Sequence, residues 1–356
     1  MAKATFLRQL REDKQRIEDF LSHALDDAVA RAEQIDGSYK TLLEVAKKTT
    51  FAGGKRLRPI LALLAYRGYN GKHIDEVVPV ACAWELLHSG VLMHDDIIDR
   101  DNIRHNAVNV SGAYKEMYGS KVGDPQHFAN ASAMLAGVLL ISEAQRIVIA
   151  SSLKHEQQLA IVRLLNDALF LVAGGELLDY ESAFSNLGQS DPRKIAMYKT
   201  ASYSVTLPLT SGALLAGAPD SELSKLEKLG DTVGIAFQLV DDLIGVFGDP
   251  KKTGKSVDVD IRERKHTLLV QETFALLSAD QKAELTTLYS GANEMTTRDV
   301  AMVRRLMDES GAKQAVEDEV VKRHGEAVKI IDSLAMVDQE KANLTLLVEM
   351  LLNREA

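Results

Sequence analysis

Apolar residues recur at intervals of three and four along almost the whole chain. Phe6, Leu10, Ile17, Phe20, Leu21 and Leu25 form one stripe with charged residues between them. Leu159, Val162, Leu165, Leu169 and Val172 form a second, and Leu223, Leu226, Leu229 and Val233 a third. A step of about 100° per residue puts such positions on one face of a helix, so each stripe predicts an amphipathic helix with that face buried. No run alternates β-branched with polar residues as a half-buried strand would. Proline agrees. It breaks helix interiors by removing a donor and clashing with the preceding turn, and the chain holds only 7 in 356 residues, against an average share of about 5%. An all-α protein is expected.

The breaks between stripes are short. Gly53-Gly54, Tyr69-Asn70-Gly71, Gly123-Asp124-Pro125, Gly188 to Pro192, Ala218-Pro219-Asp220 and Gly248-Asp249-Pro250 carry the turn chemistry. Asp191-Pro192 and Ser221 with Glu222 read as helix starts. None is a long linker, so residues 1–356 are expected to form a single large helical domain, with an N-terminal helix in 1–39. The net charge is -9 with no dominant basic stripe, which argues against a nucleic-acid partner. The one cysteine, Cys82 in VPVACAWELL, cannot form an internal disulfide and reads as a buried core residue in a reducing compartment. Charges interrupt the N-terminal stretch MAKATFLRQLREDKQRIEDFL, and the longest apolar run, Ala131 to Ile141, is too short to span a bilayer. A cytoplasmic protein without a membrane span is expected.

The strongest chemical signal is His94-Asp95-Asp96-Ile97-Ile98-Asp99, which ends an apolar helical run from Ala83 to Met93. Residues four apart share a helix face, so Asp95 and Asp99 point the same way. Paired carboxylates repel unless a cation sits between them, and hard oxygen donors suit magnesium, which takes one or two carboxylates plus waters and substrate phosphate. Alone, such a cluster is equally a solvated acidic helix end. A second pair, Asp241-Asp242 in FQLVDDLIG, also closes an apolar helical segment. Two such pairs suggest carboxylates that face each other across a cavity and hold metal ions around one diphosphate.

Gly53-Gly54-Lys55-Arg56-Leu57-Arg58-Pro59 sets three cations after two glycines and before an apolar helix. Arginine offers a planar fork to phosphate oxygens and lysine a point charge, so the segment suits a diphosphate; a solvated basic turn is the plainer alternative. Arg104 follows the first acidic pair, and Lys255, Arg262, Arg264 and Lys265 follow the second. Lys199-Thr200 opens KTASYSVTLPLTSGALLAGA, whose small residues either leave room for a ligand or allow close helix packing.

Taken together and in order, GGKRLRP, DDIID with Arg104, KTASYS, FQLVDD and GDPKKTGKSVDVDIRERKHTLL resemble the trans-polyprenyl diphosphate synthase family, from about residue 40 to the end. The resemblance implies the isoprenoid synthase type I fold, an all-α single bundle around a central cavity, usually a homodimer. It implies a prenyltransferase that joins isopentenyl diphosphate to allylic diphosphates head to tail. By position, Lys55, Arg58 and His88 bind isopentenyl diphosphate. Asp95, Asp96, Asp99, Asp241 and Asp242 hold magnesium, about three ions once diphosphate is bound. Arg104, Lys199, Thr200, Gln238, Lys255 and Lys265 contact the allylic diphosphate, and Asp95, Asp99, Asp241, Lys199, Thr200 and Gln238 form the catalytic set.

The chain departs from the family pattern at several places. The second of two usual arginines after the first motif is His105, at a position that helps hold isopentenyl diphosphate. A usual Gly-Asp pair reads Gly137-Val138, a usual Gly-Gln pair ends in Glu176, the second motif ends in Gly245, and Asp258 stands where glycine is common. Stepping back along the helix from Asp95 reaches Val91, Gly90 and Leu87, expected as the floor of the product cavity. Farnesyl-producing relatives often carry an aromatic side chain there, and small residues imply a product of about twenty carbons or more. A class I terpene cyclase or head-to-head synthase, and a non-catalytic subunit of a heteromeric synthase, remain as alternatives.

Overall fold

The computed structural model describes residues 2–248, 258–291 and 294–353. They divide into two compact units, Met1–Asp167 with Pro208–Ala218, and Ala168–Leu207 with Pro219–Ala356. The elements run α1 (Ala2–Glu33), α2 (Gly37–Phe51), α3 (Leu57–Gly68), α4 (Ile74–Ile98), a two-stranded ribbon, α5 (Val110–Tyr118), α6 (Pro125–Ile149), α7 (His155–Ser182), α8 (Pro192–Ile195), a π-helical stretch (Ala196–Thr206), α9 (Leu207–Leu215) and α10 (Asp220–Phe247). Shorter helices follow, Val259–Arg262, Leu268–Leu276, Ala279–Tyr289 and Thr297–Glu309, and then Ala312–Ser333 and Asp338–Leu352. The all-α class is as the periodicity predicts.

Two of the breaks in the sequence become side-chain caps, whereas α10 starts at Asp220 behind Pro219 with no side-chain cap, one residue before the predicted Ser221. Asp124 accepts from the His127 amide ahead of Pro125, and Asp191 accepts from the Arg193 and Lys194 amides ahead of Pro192. Each caps amides that the first helical turn leaves unpaired. In α1 the predicted stripe turns inward, with Phe6, Ile17, Leu21 and Leu25 at 0–1% exposure and Leu10 and Phe20 half-buried.

In the first unit, α4 is the core helix. Ala81, Cys82, Ala83, Trp84, Leu86 and Leu87 are buried in succession, and a helix apolar all round is one surrounded by protein. The Trp84 indole Nε1 donates to Ser211 Oγ at 2.9 Å, which satisfies a donor that burial would otherwise strand. Burial also pushes the Cys82 thiol well up from its ordinary value, so the cysteine packs as a small hydrophobe. By length and composition α4 and α6 are apolar enough to cross a membrane, but 78% of the α4 window lies inside the protein, against 50% for α6.

The interface of α4 with α6 is unusually close. A β-carbon at Gly90 would stand 2.7 Å from the Gly137 carbonyl oxygen and 2.8 Å from Ile141 Cγ1. Beside this crossing, the His94 ring Nε2 lies 3.0 Å from the Met134 carbonyl oxygen. These contacts fix the pitch at which α4 delivers its terminal aspartates.

The second unit has its own core. Leu239, Leu243 and Val246 of α10 pack with Leu268, Leu269 and Met307 from the shorter helices. Small residues on α10 meet small residues on the π-helical stretch: a β-carbon at Gly234 would overlap Ala201, and one at Gly230 would overlap Thr206. The KTASYS segment is therefore at least a close-packing surface.

Two features were invisible to periodicity. Ile103–Arg104 pairs antiparallel with Ala107–Val108, in strands too short to show alternation. The connecting His105 and Asn106 both have positive φ, 52° and 59°, as a two-residue type I′ hairpin turn demands. Histidine and asparagine tolerate that region better than most side chains.

Candidate active site

The first unit brings together the GGKRLRP loop, the end of α4 and the ribbon. One cleft is lined by Gly53, Gly54, Arg56, Glu85, His88, Ser89, Asp96, Arg104 and His105. The three cations of the loop have different fates. Arg56 is buried, with Nη1 donating to Glu85 Oε1 at 2.7 Å and side-chain exposures of 3% and 4%. It also stands over the Phe51 ring and takes a left-handed backbone, φ 54°. Arg56 thus anchors the loop, while Lys55 is exposed and Arg58 half-buried. His88 lies on the cleft wall. Burial, and then the nearby Arg58 and Arg104, hold its imidazole well below the ordinary histidine range.

At the end of α4 the aspartates divide by environment. Arg104, from the ribbon, donates from Nη2 to Asp95 Oδ2 at 2.8 Å and from Nε to Asp96 Oδ1 at 2.5 Å. Asp96 is buried at 2% exposure, whereas Asp95 and Asp99 are half-buried. Burial raises the Asp96 carboxyl to about 6 against the pull of Arg104. Asp99 caps the helix, its amide bonding back to the Asp95 carbonyl at 2.8 Å. Of the chain-length candidates, Leu87 is buried, Val91 is half-buried, and Gly90 faces Gly137 and Ile141. His105 is the side chain that a β-carbon on Gly53 would strike, at 2.9 Å.

In the second unit, a cleft of about 130 Å³ is lined by Asp179, Lys199, Thr200, Gln238, Asp242, Asp260 and Lys265, among others. Five of these, Lys199, Thr200, Gln238, Asp242 and Lys265, belong to three motifs apart in the sequence. Thr200 Oγ1 donates to Gln238 Oε1 at 3.1 Å, Gln238 Nε2 donates to Asp242 Oδ1 at 2.9 Å, and the Leu268 amide donates to Asp242 Oδ2 at 3.0 Å. Both Asp242 oxygens are thereby engaged, and burial pushes its carboxyl up to about 8. Asp241, its neighbour, is half-buried. The winding at Lys199-Thr200 is π-helical, a departure from the regular i→i+4 pattern of the kind that is frequent at functional sites.

Two contacts escaped sequence reading. Lys199 Nζ lies 2.9 Å from Glu176 Oε2 and 2.6 Å from Asp179 Oδ2. Asp260 stands against Gly245, where a β-carbon would come within 2.9 Å of Asp260 Oδ2. The spacing of Glu176 and Asp179, three apart on α7, was a usable signal for the first. Nothing in the local sequence signals the second. Lys255 lies outside the described residues.

Among the described residues, no three histidine, cysteine, aspartate or glutamate side chains converge to hold a metal by themselves. Asp95 and Asp99 of the first unit are half-buried carboxylates one helical turn apart, and Asp241 of the second unit is half-buried as well. A hard divalent cation such as magnesium keeps several waters and binds through one or two carboxylates plus phosphate oxygens.

Residues 39–307 match the Polyprenyl synthetase family profile. The chain belongs to the polyprenyl synthetase family. A short chain isoprenyl diphosphate synthase of Methanocaldococcus jannaschii is 32% identical, the match covering 73% of this chain and 77% of the relative. A geranylfarnesyl diphosphate synthase of Aeropyrum pernix is 30% identical over 85% of this chain and 91% of its own. The crystal structure of a Corynebacterium glutamicum geranylgeranyl pyrophosphate synthase, complexed with isoprenyl diphosphate and magnesium, superposes with a TM-score of 0.88. It is 28% identical and the match covers 96% of this chain and 99% of that one. Within this polyprenyl synthetase, the departures at His105 and Glu176 now have a local setting: one sits in the turn that touches Gly53, the other on Lys199.

Proposed function

We propose that this polyprenyl synthetase is a prenyltransferase that condenses isopentenyl diphosphate with an allylic diphosphate, head to tail. The observation that carries the reading is the second-unit cleft, where Lys199, Thr200, Gln238 and Lys265 gather cations and dipoles beside buried Asp242. Lys55, Arg58, His88 and His105 bind isopentenyl diphosphate. Arg104, Lys199, Thr200, Gln238, Lys255 and Lys265 hold the allylic diphosphate. Asp95, Asp99 and Asp241, steadied by Asp96 and Asp242, hold magnesium, about three ions with diphosphate bound, which supplies Lewis-acid neutralisation of the leaving group.

The residues then do two things. Lys199, Lys265 and Arg104 neutralise charge that builds on the departing diphosphate as the allylic C–O bond breaks. The Thr200 hydroxyl and Gln238 amide present the negative ends of fixed dipoles to the allylic cation. The isopentenyl double bond attacks that cation, and the proton lost from the adduct passes to the diphosphate. A diphosphate-release assay tests this. Release should require both substrates together; release from an allylic diphosphate alone would point to a cyclase.

The product is a chain of about twenty carbons or more, set by Leu87 and Val91, while Gly90 lets α6 approach α4. Val91→Phe is expected to shorten the longest abundant product by one or more isoprene units, roughly the length of an aromatic ring, read by mass spectrometry. Unchanged products would remove Val91 from the floor. The protein is further proposed to act in the cytoplasm as a homodimer. Met134, Leu135 and Val138, neighbours on α6, are 53–59% exposed, an apolar strip that would suit such an interface.

A further inference from the structure

The Lys199 ammonium is clamped by two carboxylates, Glu176 at 2.9 Å and Asp179 at 2.6 Å, with side-chain exposures of 23%, 16% and 20%. Backbone packing builds the clamp. Gly175 lies so close to the π-helical stretch that a β-carbon there would overlap the Lys199 amide nitrogen. The next residue on α7 is Glu176, and Asp179 follows three later, on the same helix face. Lys199 and Asp179 line the cleft, but Glu176 does not. Glu176 therefore reaches the cleft through Lys199.

We propose that Glu176 is a positioning residue that holds back the Lys199 ammonium, weakening diphosphate binding in this cleft and making it more dependent on divalent cation. The inference rests on the prenyl-transfer reading above. Two carboxylates and one ammonium carry a net charge of about -1 near neutral pH. A diphosphate that approaches Lys199 meets that excess negative charge and competes for an ammonium whose hydrogen bonds already run to carboxylates. A divalent cation offsets the excess, so binding gains more from magnesium than a neutral clamp would allow. Glutamine at 176 would keep the shape and one acceptor while removing the charge. Partly buried charges in contact are not screened as surface pairs are, so the change reaches the ligand.

The test is calorimetric titration of the full-length protein with inorganic diphosphate, at limiting and at saturating magnesium. Glu176→Gln is expected to tighten binding by roughly tenfold at limiting magnesium, the scale of one partly buried charge contact, and by much less at saturating magnesium. Glu176→Asp, which keeps the charge, should bind as the unchanged protein does. In steady state the Gln variant should lower KM for the allylic diphosphate more than it alters kcat. Thermal melting of both variants checks that each is folded. Binding that is unchanged or weaker in Glu176→Gln, or equally tightened in Glu176→Asp, would overturn the inference alone. Absence of diphosphate binding in every form, the unchanged protein included, would overturn both the inference and the prenyl-transfer reading.

Discussion

Asp95→Ala is expected to lower kcat/KM for prenyl transfer by roughly 10³-fold, the scale on which removal of one preorganised electrostatic group acts. Asp95 sits one turn before Asp99 at the end of α4, and Arg104 Nη2 holds its Oδ2 at 2.8 Å. Its loss takes away half of the carboxylate pair proposed to hold magnesium. Arg104 keeps Asp96, whose Oδ1 accepts from Nε, so the ribbon should stay in place and the fold should survive. Steady-state kinetics beside thermal melting separate the two effects. A loss below about tenfold with an unchanged melting temperature would remove Asp95 from the catalytic set.

The largest effect on stability is expected at Glu85. Arg56 and Glu85 form an ion pair with both side chains almost wholly buried. Deleting one partner of such a pair strands a charge away from water, so Glu85→Ala should cost about 3–5 kcal/mol. Glu18, 3.4 Å from Arg56 Nε, is more exposed and offsets only part of that. Urea unfolding should show a fall in midpoint at constant slope. Replacing both residues by methionine should cost much less, because no orphan charge remains. If the single and double variants unfold alike, the pair is not what anchors the loop. The loop also carries Lys55 and Arg58, so a folded Glu85→Ala protein should show a raised KM for isopentenyl diphosphate.

How far the sequence could be read follows from where its information is local. Helices were legible because burial writes a period into each one, as in the α1 face from Phe6 to Leu25. The capping breaks at Asp124-Pro125 and Asp191-Pro192 were legible because the cap is made by its own neighbours. The cleft residues Lys199, Thr200, Gln238, Asp242 and Lys265 were legible only as motifs, since their meeting depends on packing between α7, the π-helical stretch and α10. Arg56 shows the limit most clearly. Beside Lys55 and Arg58 it reads as a third diphosphate ligand, and only Glu85, far along the chain, turns it into a structural anchor. The Glu176–Lys199 pair was half legible: the spacing of Glu176 and Asp179 marks a carboxylate face on α7, but not that Lys199 meets it. The ribbon was hidden for another reason: its two-residue strands carry no period, and the clue lay in the tolerance of His105 and Asn106 for positive φ.

The most direct test of head-to-tail transfer is mass spectrometry of products. The purified protein would be incubated with magnesium, isopentenyl diphosphate and, separately, the five-, ten- and fifteen-carbon allylic diphosphates. The account predicts diphosphates longer than each primer by whole five-carbon units, converging on a common longest product of about twenty carbons or more. A folded, magnesium-replete protein that elongates none of the three primers would contradict it.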